Sequence, residues 1–479
     1  WSTQACIRDL QTMIIDTAIT IPEHHLQTRL ATGFEQAQRT GRATLVSVVF
    51  RAPQRDPLDF FALGANLATR RFFWSNPNGE YVFAGVDAAW TLASAGADRF
   101  ATAATWRDLC ADALIDTPTA ALATGPLLIG GFSFDPLRPA TPLWEGYPDG
   151  LLVLPRYLLT SIDGATWLTV NTVFEPNSPP ALASDTIAGI YELFESEPRA
   201  TVPNSIVRSA DVMPAEEWKE IVRQIEQNMH SGELKKVVLA RQFQVEGRAT
   251  FDPALVLERL RADYADCFVF AIAHNDRCFL GASPERLVQL REQRVRTTCL
   301  AGSIARGATP EQDEQLGAEL LASAKDRAEH EFVVRAICDA LNDVCGEHLS
   351  TGQLGLMKLR NVQHLFTPIY GRIDQNRSIL DLVARLHPTP AMGGVPRDAA
   401  LAVIRQFEGM DRGWYASPVG WMNASGDGEF AVAIRSALLH NAEATLFAGC
   451  GLVAGSDPDR EYAESCLKLR PMMAALGGA

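Results

Sequence analysis

Four carboxylates carry the first chemical signal in this sequence. Asp326 and Glu329 stand three residues apart in SAKDRAEHEFVVRAI, and Glu461 and Glu464 repeat that spacing in SDPDREYAESCLK. At about 100° per residue, Glu461, Glu464 and Lys468 share an arc of roughly 60° on one helical face. Two helices that each offer an acidic pair would form an oxygen-only site if they meet, and oxygen ligands suit Mg²⁺ better than zinc or copper. A di-iron site is the competing metal reading. It needs Glu-x-x-His on two helices, whereas His330 directly follows Glu329. Spacing alone leaves a third reading open: solvated faces carrying ion pairs such as Glu464 with Lys468.

A strand adds a cation. EFAVAIRSALL (429–439) alternates Phe430, Val432, Ile434 and Leu438 with Ala431, Ala433, Arg435 and Ala437, which sets one arginine among alanines. Its fork-shaped guanidinium suits a bound carboxylate or an internal acid. ATLFAGCGLVAG then leads into the helix of Glu461. Ser456 is the expected cap there, with Asp459 as its capping-box partner and Pro458 in the first turn. The glycine spacing is wrong for a dinucleotide loop, and no second βα unit follows. Gly130-Gly131 lacks the Gly-Lys-Ser/Thr of a phosphate loop.

Composition narrows the partners. The 479 residues suffice for one large domain or two to three ordinary ones, and 47% apolar with 21% charged residues is ordinary for a soluble fold. The net charge of −14 argues against a nucleic-acid or anionic-membrane surface. An anionic ligand must therefore find its positive charge locally. Nine scattered cysteines without a C-x-x-C fit reduced thiols in a cytoplasmic protein rather than disulfides or a zinc site. No apolar run reaches the roughly 18 residues of a membrane span, and the N-terminus has no signal-peptide pattern. The chain begins at Trp1 rather than Met, so its start is expected to have been trimmed or to lie upstream.

These groups must be positioned by a mixed fold. The first 195 residues are strand-rich, with ATLVSVVF (43–50), a hairpin in RRFFWSNPNGEYVFAGV (70–86) and GPLLIGGFSF (125–134). FESEPRATVPNSIVRSADVMP (194–214) is the expected linker. Trp218, Ile221, Val222, Ile225 and Met229 then mark an amphipathic helix ending at Gly232. The strand KKVVLARQFQV, the helix PALVLERLRAD and the hairpin CFVFAIAHNDRCFLGASPERLVQL follow, before a long helical region from Pro310 to Cys345. Strands and helices do not alternate as βαβ units, so the expected class is α+β with extensive antiparallel sheet.

Nine motifs, in order, carry a family resemblance: KKVVLAR, FLGASPERL, LAGSIARG, KDRAEHEFVV, VQHL, LHPTPAMGG, GWYASPVGW, AVAIRSA and AGCGLVAGSDPDREYAESCLK. They resemble those of the chorismate-utilising enzymes, the anthranilate, aminodeoxychorismate, salicylate and isochorismate synthases. The likeness is strong over 205–479 and weaker, through GGFSFDP, before it. It implies a large α+β sandwich flanked by helices, with 1–205 as its strand-rich N-terminal half and 206–479 as the chorismate-binding catalytic region.

The resemblance also implies roles. Mg²⁺ would lie on Glu329 and Glu464, with Asp326 and Glu461 as auxiliary or water-mediated ligands, and would hold the ring carboxylate. The family usually has glutamate where this chain has Asp326. Arg435 and Tyr415 would hold the enolpyruvyl carboxylate, helped by Lys468 and by backbone N–H groups around Gly449 and Gly451. Ser303 and His364 would line the ring site. Lys236 matches the general base of the water-using members, and Glu285 the acid that protonates the departing 4-hydroxyl. Burial must then push the two pKa values toward each other. Lys235 lies on the opposite strand face from Lys236, and Glu285 has an alternative reading as an ion-pair partner of Arg286.

Small differences choose the subfamily. The ammonia-using enzymes end their ring-site motif in Ser-Gly-Ala-Pro-Lys, where this chain has LHPTPAMGGVPR; the aminodeoxychorismate enzymes carry a lysine where it has Ala301. HPTPA, with Ala391, and GWYASPVGW look most like isochorismate synthases. The expected activity is therefore Mg²⁺-dependent isochorismate formation without a glutaminase partner, with salicylate synthase as the alternative. The product would feed menaquinone, siderophore or salicylate synthesis, the long N-terminal half leaning toward the first.

Overall fold

The computed structural model describes residues 21–119, 121–196, 204–229, 232, 234–360 and 362–478. Its strands hydrogen-bond into one continuous network of 21. Pairing is antiparallel throughout the described strands except where Thr44–Arg51 runs parallel to Leu114–Asp116. The class is α+β, as the absence of βαβ alternation requires.

Many central strands read as unbroken apolar runs because both faces are buried. Phe72 and Trp74 enter one core while Phe73, between them, enters the other. Phe268, Phe270 and Ile272 likewise part from Val269, Ala271 and Ala273. The period of two is still present, but it sorts residues between two cores rather than between core and water. The hairpin expected at 70–86 forms as Arg70–Ser75 and Tyr81–Ser94, with Asn78 and Gly79 at positive φ in its turn. Sequence-distant strands stitch the sheet together: Arg70–Ser75 pairs with Phe268–His274, and Leu127–Phe132 with Pro418–Asn423.

Three expectations are corrected. The stretch 194–214 is not simply a linker: helix Leu182–Glu195 enters it, and Ile206–Asp211 is a strand paired with Lys236–Gly247. Residues 197–203 of that stretch, like Trp1 and Cys6, lie outside the described residues. The strand 429–439 breaks into Gly428–Val432 and Ser436–His440, because its halves pair with different partners, Arg286–Arg291 and Arg277–Ser283. At the corner the Ile434 N–H turns back onto the Val432 carbonyl at 2.8 Å, and Arg435 takes φ 52°. A corner, not a strand face, aims this arginine. The last helix, Pro458–Ala475, is capped by Asp457, whose carboxylate accepts from the Arg460 N–H at 2.9 Å, while the Ser456 hydroxyl accepts from Val453 N. Pro458 occupies the first turn as expected.

The long helical region divides at Ser323, which ends Pro310–Ala322 and caps Ala324–Cys345 through the Asp326 N–H. That break puts Asp326 in a first turn, where the helix dipole favours a carboxylate. Val333, Ile337, Leu341 and Val344 pack the second helix on the sheet. His330 is buried with them, its Nδ1 3.1 Å from the Ala301 carbonyl and its Nε2 2.8 Å from Thr367 Oγ1. It serves the core, which removes the di-iron reading.

Candidate active site

The two acidic helices do not pack on each other but contribute their acids to one cavity. A cavity of about 310 Å³ lies between them and the strand ends, and all fourteen residues singled out above line it. Lys236 begins strand Lys236–Gly247 and sits under helix Ala324–Cys345, where its Nζ donates to Glu329 Oε1 at 2.7 Å. Lys235, its neighbour, is exposed and lies 5.9 Å from the Phe332 ring. Strand alternation thus separates the two lysines as expected. The neighbouring strand Glu443–Leu452 makes room for Lys236 by having glycine at 451, where a Cβ would come within 2.8 Å of the lysine Cε.

Glu285 faces the same space from the loop after strand Arg277–Ser283. Its backbone is clamped on both sides: its N–H donates to Ser283 Oγ at 3.2 Å, and its carbonyl accepts from Val432 N at 3.0 Å. The alternative pairing with Arg286 does not occur. That guanidinium turns to the fully buried Glu429 at 2.6 Å, which also accepts from Gln289 and from the Tyr81 hydroxyl. Glu285 is left buried without an ion pair among the described residues. Burial raises its pKa to about 7 against the opposing pull of Arg435, Lys236 and Lys468.

The cations arrive from three elements. Arg435 projects from its corner with no partner for its guanidinium among the described residues, so it is free for a ligand. Lys468, one turn beyond Glu464, pairs with it at 2.6 Å and also donates to the Gly449 carbonyl at 2.9 Å. Burial raises the Glu464 pKa, but Lys468 outweighs it and holds the carboxyl below its ordinary value. Glu461 shifts the other way, raised first by burial and then by the neighbouring Glu464 charge. Ser303 Oγ lies 2.7 Å from His364 Nδ1 across paired strands. Burial, with Arg435 and Lys468 adding, pulls the His364 pKa down to about 3, so the ring is neutral at physiological pH. Tyr415 is buried with its ring stacked on Phe447 at 5.1 Å.

Residue reasoning missed several groups at this site. Lys325 and Arg460 line the cavity from the two acidic helices. Arg412 is buried and pairs with Glu408 at 2.6 Å, while donating to the carbonyls of Met392 and Val238. Glu408 in turn accepts from Ala240 N at 2.8 Å. One buried pair therefore ties the strand of Lys236 to the loop of Ala391. The i,i+4 spacing of Glu408 and Arg412 was the only local signal, and it looks like any surface pair. Arg412→Met strands the Glu408 carboxylate in the interior and is expected to cost about 3–5 kcal/mol. Urea denaturation of the two proteins measures this.

Sequence and structure comparisons agree with the geometry. Residues 32–477 match the family described as chorismate binding enzyme. The chain is 40% identical to the salicylate biosynthesis isochorismate synthase of Pseudomonas aeruginosa, over 95% of each chain. It is 36% identical to the isochorismate synthase MenF of Bacillus subtilis, over 92% of this chain and 96% of that one. Its fold matches the menaquinone-specific isochorismate synthase MenF of Escherichia coli with a TM-score of 0.78, at 27% identity, over 94% of this chain and all of that one. With a cavity that gathers the candidate site residues of these motifs, and a family match over residues 32–477, the chain belongs to the chorismate binding enzymes.

Proposed function

We propose that this protein is an isochorismate synthase, an isomerase that converts chorismate to isochorismate by adding water at C2 and expelling the 4-hydroxyl. The observation that carries this reading is the placement of Glu285, a buried acid without an ion pair among the described residues whose pKa is raised to about 7, with Lys236 in one cavity. Lys236 takes a proton from water as its oxygen adds to C2. The ring double bonds shift, and Glu285 gives its proton to the leaving oxygen. One water enters and one leaves, so substrate and product have the same composition and the conversion is an isomerisation. Arg435, Lys468 and Tyr415 bind the enolpyruvyl carboxylate, and Ser303 with neutral His364 borders the ring.

The acids suit a hard cation by donor type, since all four offer oxygen alone. Among the described residues no three acidic, histidine or cysteine side chains form a ready-made cation group. Instead Glu329 and Glu464 are neutralised by Lys236 and Lys468. In our reading Glu329 and Glu464 would hold Mg²⁺, with Asp326 and Glu461 assisting, and Lys236 and Lys468 would then be released from them. When bound the ion supplies positive charge for the ring carboxylate.

Water as nucleophile requires neither ammonia nor a glutaminase partner. We place the enzyme in the cytoplasm, in keeping with eight free cysteines among the described residues. No helix among them is long and apolar enough to cross a membrane. The relatives' names span menaquinone and salicylate synthesis, and we infer that isochorismate is the product released to such a pathway. Incubation with chorismate and Mg²⁺, followed by chromatography, is expected to yield isochorismate alone. Anthranilate, or pyruvate in step with chorismate loss, would reject the assignment.

A further inference from the structure

Behind Glu285 lies a second, much smaller chamber. Its volume of about 10 Å³ is that of a single water. Glu285, Leu300 and Ala391 form the wall it shares with the main cavity. Its other sides mix apolar residues, Leu287, Cys299, Val333, Ile337 and Leu386, with the polar Arg286, Thr297, Thr298 and Thr389. The chamber exists because the hairpin of Arg286–Arg291 and Arg294–Ala305 opens after the pair Gln289 and Arg296, leaving Thr297 Oγ1 to bridge to the Leu287 carbonyl at 2.6 Å.

Thr389 is 8% exposed, and its hydroxyl has no hydrogen-bond partner among the described residues. Its backbone is fixed, the carbonyl accepting from Met392 N at 3.0 Å and Gly393 N at 2.9 Å. A buried hydroxyl left unpaired costs stability that a bridging water restores. Glu285, whose carboxyl has no ion pair among the described residues, lines the same chamber, as does Thr298, whose hydroxyl makes no hydrogen bond among them.

We propose that a water held between the Thr389 hydroxyl and the Glu285 carboxyl fixes the Glu285 proton on the oxygen that faces the main cavity, making Thr389 a positioning residue for the general acid. The inference rests on the acid role proposed for Glu285. Thr389 donates to the water, and the water donates to the inner carboxyl oxygen. The proton then has only the cavity-facing oxygen to occupy, where a departing hydroxyl collects it. Without the water the proton sits on either oxygen, and the carboxylate form loses a donor. Arg435, Lys236 and Lys468 face Glu285 from the main cavity, and Cys299 and Arg286, the latter paired with Glu429, from the chamber side; none of them changes in the test.

The test compares Thr389→Val, which keeps the shape and removes the hydroxyl, with Thr389→Ser, which keeps the hydroxyl. Thr389→Val is expected to lose about tenfold in kcat with KM unchanged, the size of one hydrogen bond. The basic limb of its kcat profile moves to higher pH, since the donor that favoured the carboxylate is gone. Thr389→Ser keeps both values near wild type. The infrared carbonyl band of protonated Glu285, assigned by its absence in Glu285→Gln, shifts in Thr389→Val and not in Thr389→Ser. Unchanged kcat, limb and band in Thr389→Val overturn the inference, as does equal impairment of the two variants. If wild-type protein forms no isochorismate, the functional reading itself fails; the infrared comparison still decides the chamber water.

Discussion

Glu285→Gln is expected to lower turnover by about 10²–10⁴-fold while leaving chorismate binding largely intact. The amide keeps the shape but holds no transferable proton for the 4-hydroxyl. Lys236→Ala should lose activity to a similar extent, and the double variant should lose less than the product of the two, since both groups serve one transition state. Lys235→Ala, on the exposed strand face, is the control and keeps most activity. Stopped assays with separate binding measurements decide the matter. A dead Lys235→Ala beside a normal Lys236→Ala would show that the base is misassigned.

The same acid sets a pH dependence. With its pKa raised to about 7, Glu285 is protonated below that value and loses its proton above it, so its contribution to turnover falls as pH rises through 7. Stability follows the same sign. The unfolded carboxyl releases its proton near 4.5, whereas the folded one holds it to about 7, so folding stability declines between those values as pH rises. Glu285→Gln should flatten that decline in denaturant titrations across the window.

Removal of divalent cation is expected to abolish turnover, and Mg²⁺ to restore it. Without the ion, Glu329 holds Lys236 and Glu464 holds Lys468, so two groups assigned to base chemistry and substrate binding are engaged with acids. Glu329→Gln and Glu464→Gln should each weaken Mg²⁺ binding, measured by calorimetry, as well as activity. Full turnover in excess chelator would remove the cation from the mechanism.

Local sequence determined which chemistries were available here and which elements carry them. The i,i+3 acids, the alternation that separates Lys235 from Lys236, and the strand-rich α+β pattern all depend on a few neighbouring residues. So they were legible without a fold. The family motifs extended this to the catalytic, substrate and metal residues named, but not to Lys325, Arg460 or Arg412. They did not reveal the Glu408–Arg412 tie, because an i,i+4 pair looks the same on a surface as in a core.

Other properties arise only from contacts distant in sequence. Arg286 is drawn from Glu285 to Glu429, 143 residues away, and the acid is thereby left unpaired. Lys236 meets Glu329 across 93 residues. Arg435 is aimed by a corner that forms because two strand halves pair with different neighbours. Spacing encodes the type of a side chain and the face it takes on its own element. Its charge state and its partner are decided by desolvation and by long-range packing, which exist only once the sheet has closed around the cavity.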